Sequence, residues 1–503
     1  LPYPYYCLLF HPLKLKFHSH EKLEPNGELW EAQSWALRIV MKFGGTSLSD
    51  GKRIRNAAEL VKRYKGQIEE IAVVASAMGG VTDDLIGAAE RAKAGERAYV
   101  EGFLERLSKR HLDALEEAVS DPGLRGELAG NIERELSDLG RALIGVSYLS
   151  ELTPRSRDYI LSFGERLSTR ILCGALRDLG MRAEYFTGFE AGIITDANFG
   201  EAAPIYELAR ERVKAVLEGR LRSGSIPVVT GFIGGTADGI VTTLGRGGSD
   251  YTATILGALL DADEVWLMTD VNGLMTADPK IVPSAKTIRR VSYSEAAEMA
   301  FFGAKSLHPR ALEPVSEKGI PLRIKNTFDP DGEGTLITKE GGDRSDKVVK
   351  AVTLIKNVSL ITVSGAGMVG APGAAARIFK ILGDNRINVL MISQSSSEYN
   401  ISLVVPRASS KEAVAALRRD LQERGLVKEV ISEDDVCVVA AVGAGMRGTP
   451  GVAARVFTAV ARKGVNVRMI AQGSSELNIS FVVGESDGAT AVRAIHEEFS
   501  LGS

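Results

Sequence analysis

Lys42 is the first residue whose surroundings suggest chemistry. It closes an apolar run and stands two residues before a glycine pair, in IVMKFGGTSLSD from Ile39 to Asp50. A lysine at the end of a strand can set its ammonium on one phosphate oxygen while the N–H groups of a glycine turn hold others. The common phosphate loop carries its lysine after the glycines. Here the lysine comes first, and Gly51-Lys52 is followed by Arg53 with no glycine five positions earlier, so any phosphate is held by a different architecture. Arg246 and Asp250, in GRGGSDYTA, have similar surroundings. The planar guanidinium suits bidentate capture of a carboxylate. Asp250, opening the next helix, can organise the cations or help to hold Mg²⁺. Lys305, in FFGAKSLHP, adds a cation, and His308 before Pro309 reads as a capping or packing residue. With neither a nucleophile elbow nor a paired set of metal ligands, the group fits phosphoryl transfer, which needs positioning and charge stabilisation more than proton abstraction. An acceptor that is already a carboxylate needs no base.

These residues must be positioned by strands followed by turns. The apolar run to Phe43 predicts a strand, and Ile54, Ala57, Ala58 and Val61 recur at helical spacing after it. IAVVASAMGGVTDDL repeats the pattern, with Thr-Asp-Asp suited to a helix N-cap. Residues 90 to 220 read as mostly helical, with Glu165 and Arg166 of ILSFGERLSTRIL between apolar flanks. IPVVTGFIGG, GIVTTLGRGGSDYTATILGALL and DEVWLMTDVNGLMTADP each run from a strand into a turn. Alternating strands and helices predict a largely parallel sheet covered on both faces, with ligands at the carboxyl ends of its strands. A single glycine loop is usually only a turn. Four of them at strand ends of one sheet tip the balance towards a site.

The chain has 503 residues, 45% of them hydrophobic, which is enough for about three domains. Its 61 Lys+Arg against 64 Asp+Glu give no overall basic field, so neither nucleic acid nor a membrane surface is an expected partner. Cys7, Cys173 and Cys437 lie far apart, which excludes a C-x-x-C site and fits a reducing cytoplasm. No apolar run is long enough to predict a spanning helix. Residues 1–36 lack the pattern of a signal peptide, and His11, His18 and His20 have no carboxylate or thiol at ligand spacing. We expect a loose polar extension upstream of the true start.

Beyond the Gly- and charge-rich KEGGDRSDK, taken as a domain boundary near residue 340, the chain repeats itself at an offset of 78 residues. GAGMVGAPGAAARIF from Gly365 matches GAGMRGTPGVAARVF from Gly443, and NVLMISQSSSEYNIS matches NVRMIAQGSSELNIS. Each copy reads as strand, helix, strand, strand, helix and strand. Both contain a literal G-x-G-x-x-G, but no ribose-binding acid ends the following strand and the unit is too short for a dinucleotide domain. A structural role, with a helix start open to a small anion, is preferred. Both copies also carry Q-x-S-S-E-x-N, where Gln394, Asn400, Gln472 and Asn478 offer amides to a small zwitterion.

KFGGTS, SAMGGVTD, FGERLS, GRGGSDYTA, TDVNG and GAKSLHP, in this order before a tandem pair of ACT-like modules, resemble the aspartate kinase family over residues 37 to 500. The resemblance implies an α/β amino-acid-kinase sandwich (α/β/α, with a mostly parallel sheet) over residues 37–340. Two α+β, ferredoxin-like ACT modules would follow at 341–430 and 431–503, with strand exchange between them an option. It implies transfer of the γ-phosphoryl group of MgATP to the β-carboxylate of L-aspartate, at the entry to lysine, threonine and methionine synthesis. Lys42 would stabilise the moving phosphoryl group, with Gly44, Gly45 and Ser47 forming its loop. Ser76, Thr82, Glu165, Phe199, Arg246 and Ser249 would line the aspartate pocket, with Arg246 on a carboxylate and Glu165 near the ammonium. Asp250 would organise the lysine, and Thr269, Asp270, Lys280 and Lys305 would face ATP. Some family members have Tyr where this chain has Met275 and Arg where it has Lys280. The ACT modules imply a homo-oligomer under feedback control, with threonine expected ahead of lysine as effector. The rival readings are a kinase of N-acetylglutamate or glutamate, and a non-catalytic amino-acid sensor.

Overall fold

The computed structural model describes residues 37–302, 307–341 and 347–502. The segment 1–36 and Lys305 lie outside the described residues. The N-terminal half is built on an eight-stranded sheet. Its strands run in the order Ala183–Phe186, Ile226–Thr230, Glu70–Ala75, Arg38–Phe43, Glu264–Thr269, Leu322–Asn326, Thr335–Thr338 and Arg290–Ser292. The first six are parallel, and Thr335–Thr338 runs against Leu322–Asn326. Arg38–Phe43 is central, and the chain leaves it to one side through Glu70–Ala75 and returns on the other through Glu264–Thr269. That reversal opens a crevice at the carboxyl end of Arg38–Phe43, where open parallel sheets place their ligands.

Alternation along the central strand decides which helices meet which residue. Ile39, Met41 and Phe43 face an apolar layer that includes the helices Gly51–Lys65, Arg97–Ala118, Pro122–Leu149 and Pro154–Asp178. Val40 faces the opposite layer, which contains the helix Gly248–Leu259. Lys42 shares the parity of Val40, so its stem points towards the start of Gly248–Leu259. Both faces are covered, and the strand Glu70–Ala75 is buried throughout, as a parallel sheet requires. Among the described residues no helix is long and apolar enough to cross a membrane.

The C-terminal half carries a six-stranded antiparallel sheet with two long central strands, Ala351–Ser364 and Glu429–Val442. Residues 358–364 pair with Asn400–Pro406, which pairs with Met391–Gln394. Residues 436–442 pair with Asn478–Gly484, which pairs with Val467–Ala471. Helices Ala374–Asp384 and Arg407–Leu417 accompany the first of these groups, and Val452–Arg462 and Gly488–Glu498 the second. One element departs from the sequence reading. No strand follows Gly488–Glu498 among the described residues, and the partner of residues 438–442 is instead residues 351–355, which precede the first repeat. One continuous strand thus serves both repeats.

Candidate active site

The crevice holds a cavity of about 360 Å³ bordered by Phe232 and by four other segments distant in sequence. Lys42 and Gly45 come from the central strand and its turn, and Ser76 and Thr82 from the loop after Glu70–Ala75. Glu165 reaches it from the middle of Pro154–Asp178, and Arg246, Ser249 and Asp250 from the turn and first residues of Gly248–Leu259. The first two loops approach backbone to backbone, since a Cβ on Gly45 would lie 3.0 Å from the Ala77 carbonyl. The third turn needs glycine at Gly247, whose φ is 71° and whose Cβ would strike His308. Thr82, Asp83 and Asp84 do not cap their helix, Val81–Lys93. Left-handed Gly80 is its N-cap, without a side-chain bond, and the three polar residues form the first turn.

The electrostatics follow from this convergence. The Lys42 ammonium is in direct contact with the Asp250 carboxylate, both groups being mostly shielded. Asp250 also sits in the first turn of its helix, where an acid is favoured by the macrodipole. Among the described residues no carboxylate pairs with Arg246, which is exposed at the cavity rim. Glu165 is 3% exposed, and its Oε1 accepts from the Ala77 N–H at 3.1 Å while Oε2 has no partner. Burial pushes its carboxyl up to about 8, against the opposing pull of the Ala77 N–H and Lys42. With Oε2 unpartnered, this environment favours the neutral acid at pH 7.

A cation placed on Oε2 favours the ionised form, so its binding below pH 8 expels a proton. We expect calorimetric titration of the amino-acid substrate at pH 7 to release close to one proton, seen as a dependence of heat on buffer ionisation enthalpy. Glu165→Gln should abolish that dependence, and an equal proton release from the variant would remove Glu165 from the linkage. Stability carries the opposite sign. The folded pKa lies above the ordinary 4.5, so the native state holds the extra proton and the protein loses stability as pH rises from about 4.5 to about 8.

Other expected site residues do not border this cavity. The Gly44 N–H donates to Met268 O, extending the sheet. The Ser47 hydroxyl is fully buried and shares a 2.7 Å hydrogen bond with Thr327, which pins the glycine turn rather than pointing it at a ligand. Phe199 does not border the cavity, although the Gly200 carbonyl packs beside Gly245. Thr269 ends its strand, with Asp270 exposed beside it, and exposed Lys280 follows a turn in which Asp278 accepts from its N–H. These three lie outside the cavity lining. In the C-terminal half Gln394 and Gln472 are exposed at the strand ends, Asn400 is half-buried, and Asn478 donates to Glu298 of the N-terminal half.

Two positioning residues escaped the sequence reading. Asp158, 1% exposed, accepts from Gly200 N at 3.0 Å and from the N–H and hydroxyl of Thr243 at 2.8 Å, fixing the strand that leads into the Arg246 turn. Its signal was an acid two helical turns before Glu165 on an otherwise apolar face. Arg310 donates to Leu244 O and Ala202 O, each at 3.1 Å, and stacks over Tyr251.

Comparison with known proteins gives concordant results. A model described as the amino acid kinase family matches residues 37–326, and an ACT domain model matches 361–421 and 439–499. The chloroplastic aspartokinase 1 of Arabidopsis thaliana is 33% identical over 474 residues, covering 93% of this chain and 81% of that protein. The chain spans about half the length of the bifunctional aspartokinase/homoserine dehydrogenase of Daucus carota, which is 34% identical and is covered to 52%. E. coli aspartokinase III with aspartate and ADP, in its R-state, superposes with a TM-score of 0.78 at 31% identity, over 92% of this chain and all of that one. The same enzyme with lysine and aspartate, in its T-state, gives 0.75.

Proposed function

Because this chain belongs to the amino acid kinase family, as an aspartokinase with two ACT domains, we propose that the cavity binds L-aspartate against MgATP and forms 4-phospho-L-aspartate. The observation that carries this reading is the convergence of a lysine–aspartate pair, an unpaired arginine and a buried glutamic acid on one cavity at the sheet's reversal. Arg246 takes a carboxylate of aspartate, and Glu165, ionising as the ammonium arrives, takes the other end. The acceptor carboxylate attacks the γ-phosphorus without a general base as the bond to the bridging oxygen breaks and ADP leaves, and Lys42 with the Gly45 turn meets the charge that builds on the transferring group. Asp250 orients Lys42 and is engaged by it. We take Mg²⁺ to enter as part of the nucleotide substrate. Buried Cys173 and Cys437, both free thiols, fit a reducing compartment, which we take as the cytoplasm.

Trapping the acyl phosphate with hydroxylamine tests the substrate. We expect hydroxamate from aspartate with ATP and none from glutamate or N-acetylglutamate. Product from either of the latter alone would replace this reading with the corresponding kinase.

We further propose that an amino acid inhibits through the ACT repeats and that the enzyme is a homo-oligomer paired through them. Ile392 and Ile470, at matched positions on the two outermost strands of the C-terminal sheet, are each 46% exposed and offer apolar surface for that pairing. The lysine-bound T-state of the E. coli relative supports an amino acid as the class of effector. ISQSSSEYNIS favours threonine. Titration with threonine and lysine separately should show threonine inhibiting the more strongly, with an effect on aspartate affinity of about 5- to 150-fold. Loss of inhibition in Gln394→Ala would place the effector at the first repeat, and inhibition by neither amino acid would refute the proposal.

A further inference from the structure

Two loops meet beside the cavity, one from Gly44 to Asp50 and one from Ser76 to Gly80, and few bonds of their own hold them together. The register of their strands continues for a single bond, from the Ser76 N–H to Phe43 O at 3.1 Å. After it the loops only touch. A Cβ on Gly79 would lie 3.3 Å from the Gly45 carbonyl oxygen, just as one on Gly45 would meet Ala77. Such contact sets how close the loops come and does nothing to stop them parting.

The bond that spans them comes from outside the sheet. Helix Arg97–Ala118 crosses the start of helix Gly51–Lys65 so closely that a Cβ on Gly51 would strike the Ala114 carbonyl. One turn earlier, on the same face, Arg110 reaches the loops. Its Nη2 donates to Gly79 O at 2.6 Å and to Ser49 O at 3.3 Å. Its Nη1 lies 3.9 Å from exposed Asp84, a pairing that contributes little. Among the described residues Arg110 is the one side chain hydrogen-bonded to both loops. Other anchors serve one loop each. Glu165 takes the Ala77 N–H, Ser168 donates to Ser76 O at 2.7 Å, and Ser47 is fixed to Thr327. Arg110 does not border the cavity, so it acts on the site only through the loops.

We propose that Arg110 is a positioning residue for the transfer, a clamp that fixes the loop meeting the phosphoryl group against the loop holding the acceptor. The inference rests on the reading of the cavity as the kinase site. Lys42 and Gly45 stand on one side of the junction, and Ser76 and Thr82 on the other. Transfer needs the acceptor oxygen and the phosphorus within about 3–3.5 Å, and a misplacement of about 1 Å costs roughly 10²-fold in rate. Each loop can bind its own substrate without the clamp, but only their relative placement brings the reacting atoms into line. Arginine suits this task better than lysine, because its planar fork presents donors in fixed directions to carbonyls on separate segments.

Steady-state kinetics of wild type, Arg110→Ala and Arg110→Lys, read as ADP release, test the clamp. In Arg110→Ala we expect kcat to fall by about 10- to 100-fold while KM for aspartate and for ATP stays close to wild type. Millimolar guanidinium ion should restore part of that kcat, where sodium chloride at equal concentration does not, and should leave wild type unaffected. Arg110→Lys should be intermediate. Amide hydrogen exchange reads the clamp without the reaction. Residues 45–50 and 76–80 should exchange faster in Arg110→Ala, with the central strands unchanged. An unchanged kcat in Arg110→Ala would overturn the proposal. So would a loss that guanidinium does not restore and that comes with faster exchange throughout the protein, since that pattern marks a merely structural residue. If wild type forms no product from aspartate, the kinase reading falls, and exchange in the two loops still decides whether Arg110 clamps them.

Discussion

Lys42→Ala is expected to lower kcat by roughly 10²–10³-fold, the loss seen when one preorganised donor to developing charge is removed. Aspartate binding should change little. The reason is where the ammonium lies, at the end of the central strand and beside the glycine turn, with Asp250 holding it in place. A group positioned for charge that builds during transfer contributes little to the ground state, so the loss appears in turnover. Removing it also leaves Asp250 without its cation beside an anionic nucleotide, which adds repulsion to the missing attraction. Lys42→Arg cannot rescue fully, because the planar fork does not reproduce a compact ammonium. Steady-state ADP release, with aspartate affinity measured calorimetrically on the same preparation, checks this. A folded Lys42→Ala enzyme turning over at near wild-type rate would remove the lysine from the mechanism.

Arg246→Ala should instead raise the KM for aspartate. A charge-assisted hydrogen bond is worth roughly 1.5–3 kcal/mol, which corresponds to a rise of about 10- to 150-fold. Arg246 stands at the cavity rim without a carboxylate partner among the described residues, so its guanidinium is available in the resting protein. The turn that carries it is fixed from behind by Asp158 and Arg310 rather than by Arg246 itself, so the truncation should leave the loop in place. Arg246→Lys should fall between, keeping the charge and losing the second hydrogen bond. An unchanged KM in Arg246→Ala would refute the assignment.

What the sequence disclosed and what it withheld divide along a physical line. The strand before Lys42, the glycine loops and the 78-residue repeat are local patterns, set by side-chain periodicity and by the conformations only glycine adopts. The contact of Lys42 with Asp250 follows from alternation along one strand once the covering helix is known. The roles of Asp158 and Arg310 were not legible, because each joins backbone groups far away in the chain and such partners leave no spacing to read. Ser47 shows the converse case. Its place in a phosphate-type loop suggested a ligand contact, and the fold gives its hydroxyl to Thr327.

The strand shared between the repeats bears on how the chain is made. Residues 351–355, AVTLI, leave the ribosome about 80 residues ahead of their partners at 438–442, a delay on the order of ten seconds at ordinary rates of synthesis. During that interval a β-prone, uncharged segment waits with its ladder to residues 438–442 unmade and only the Val352 N–H served from earlier chain, by Thr276 O, a condition under which one chain pairs with the next. Expression that slows or stops between residues 355 and 438 should therefore yield aggregates, even though the catalytic sheet, whose last strand ends at Thr338, is already complete. For this protein the burden of solubility during synthesis falls on its regulatory half.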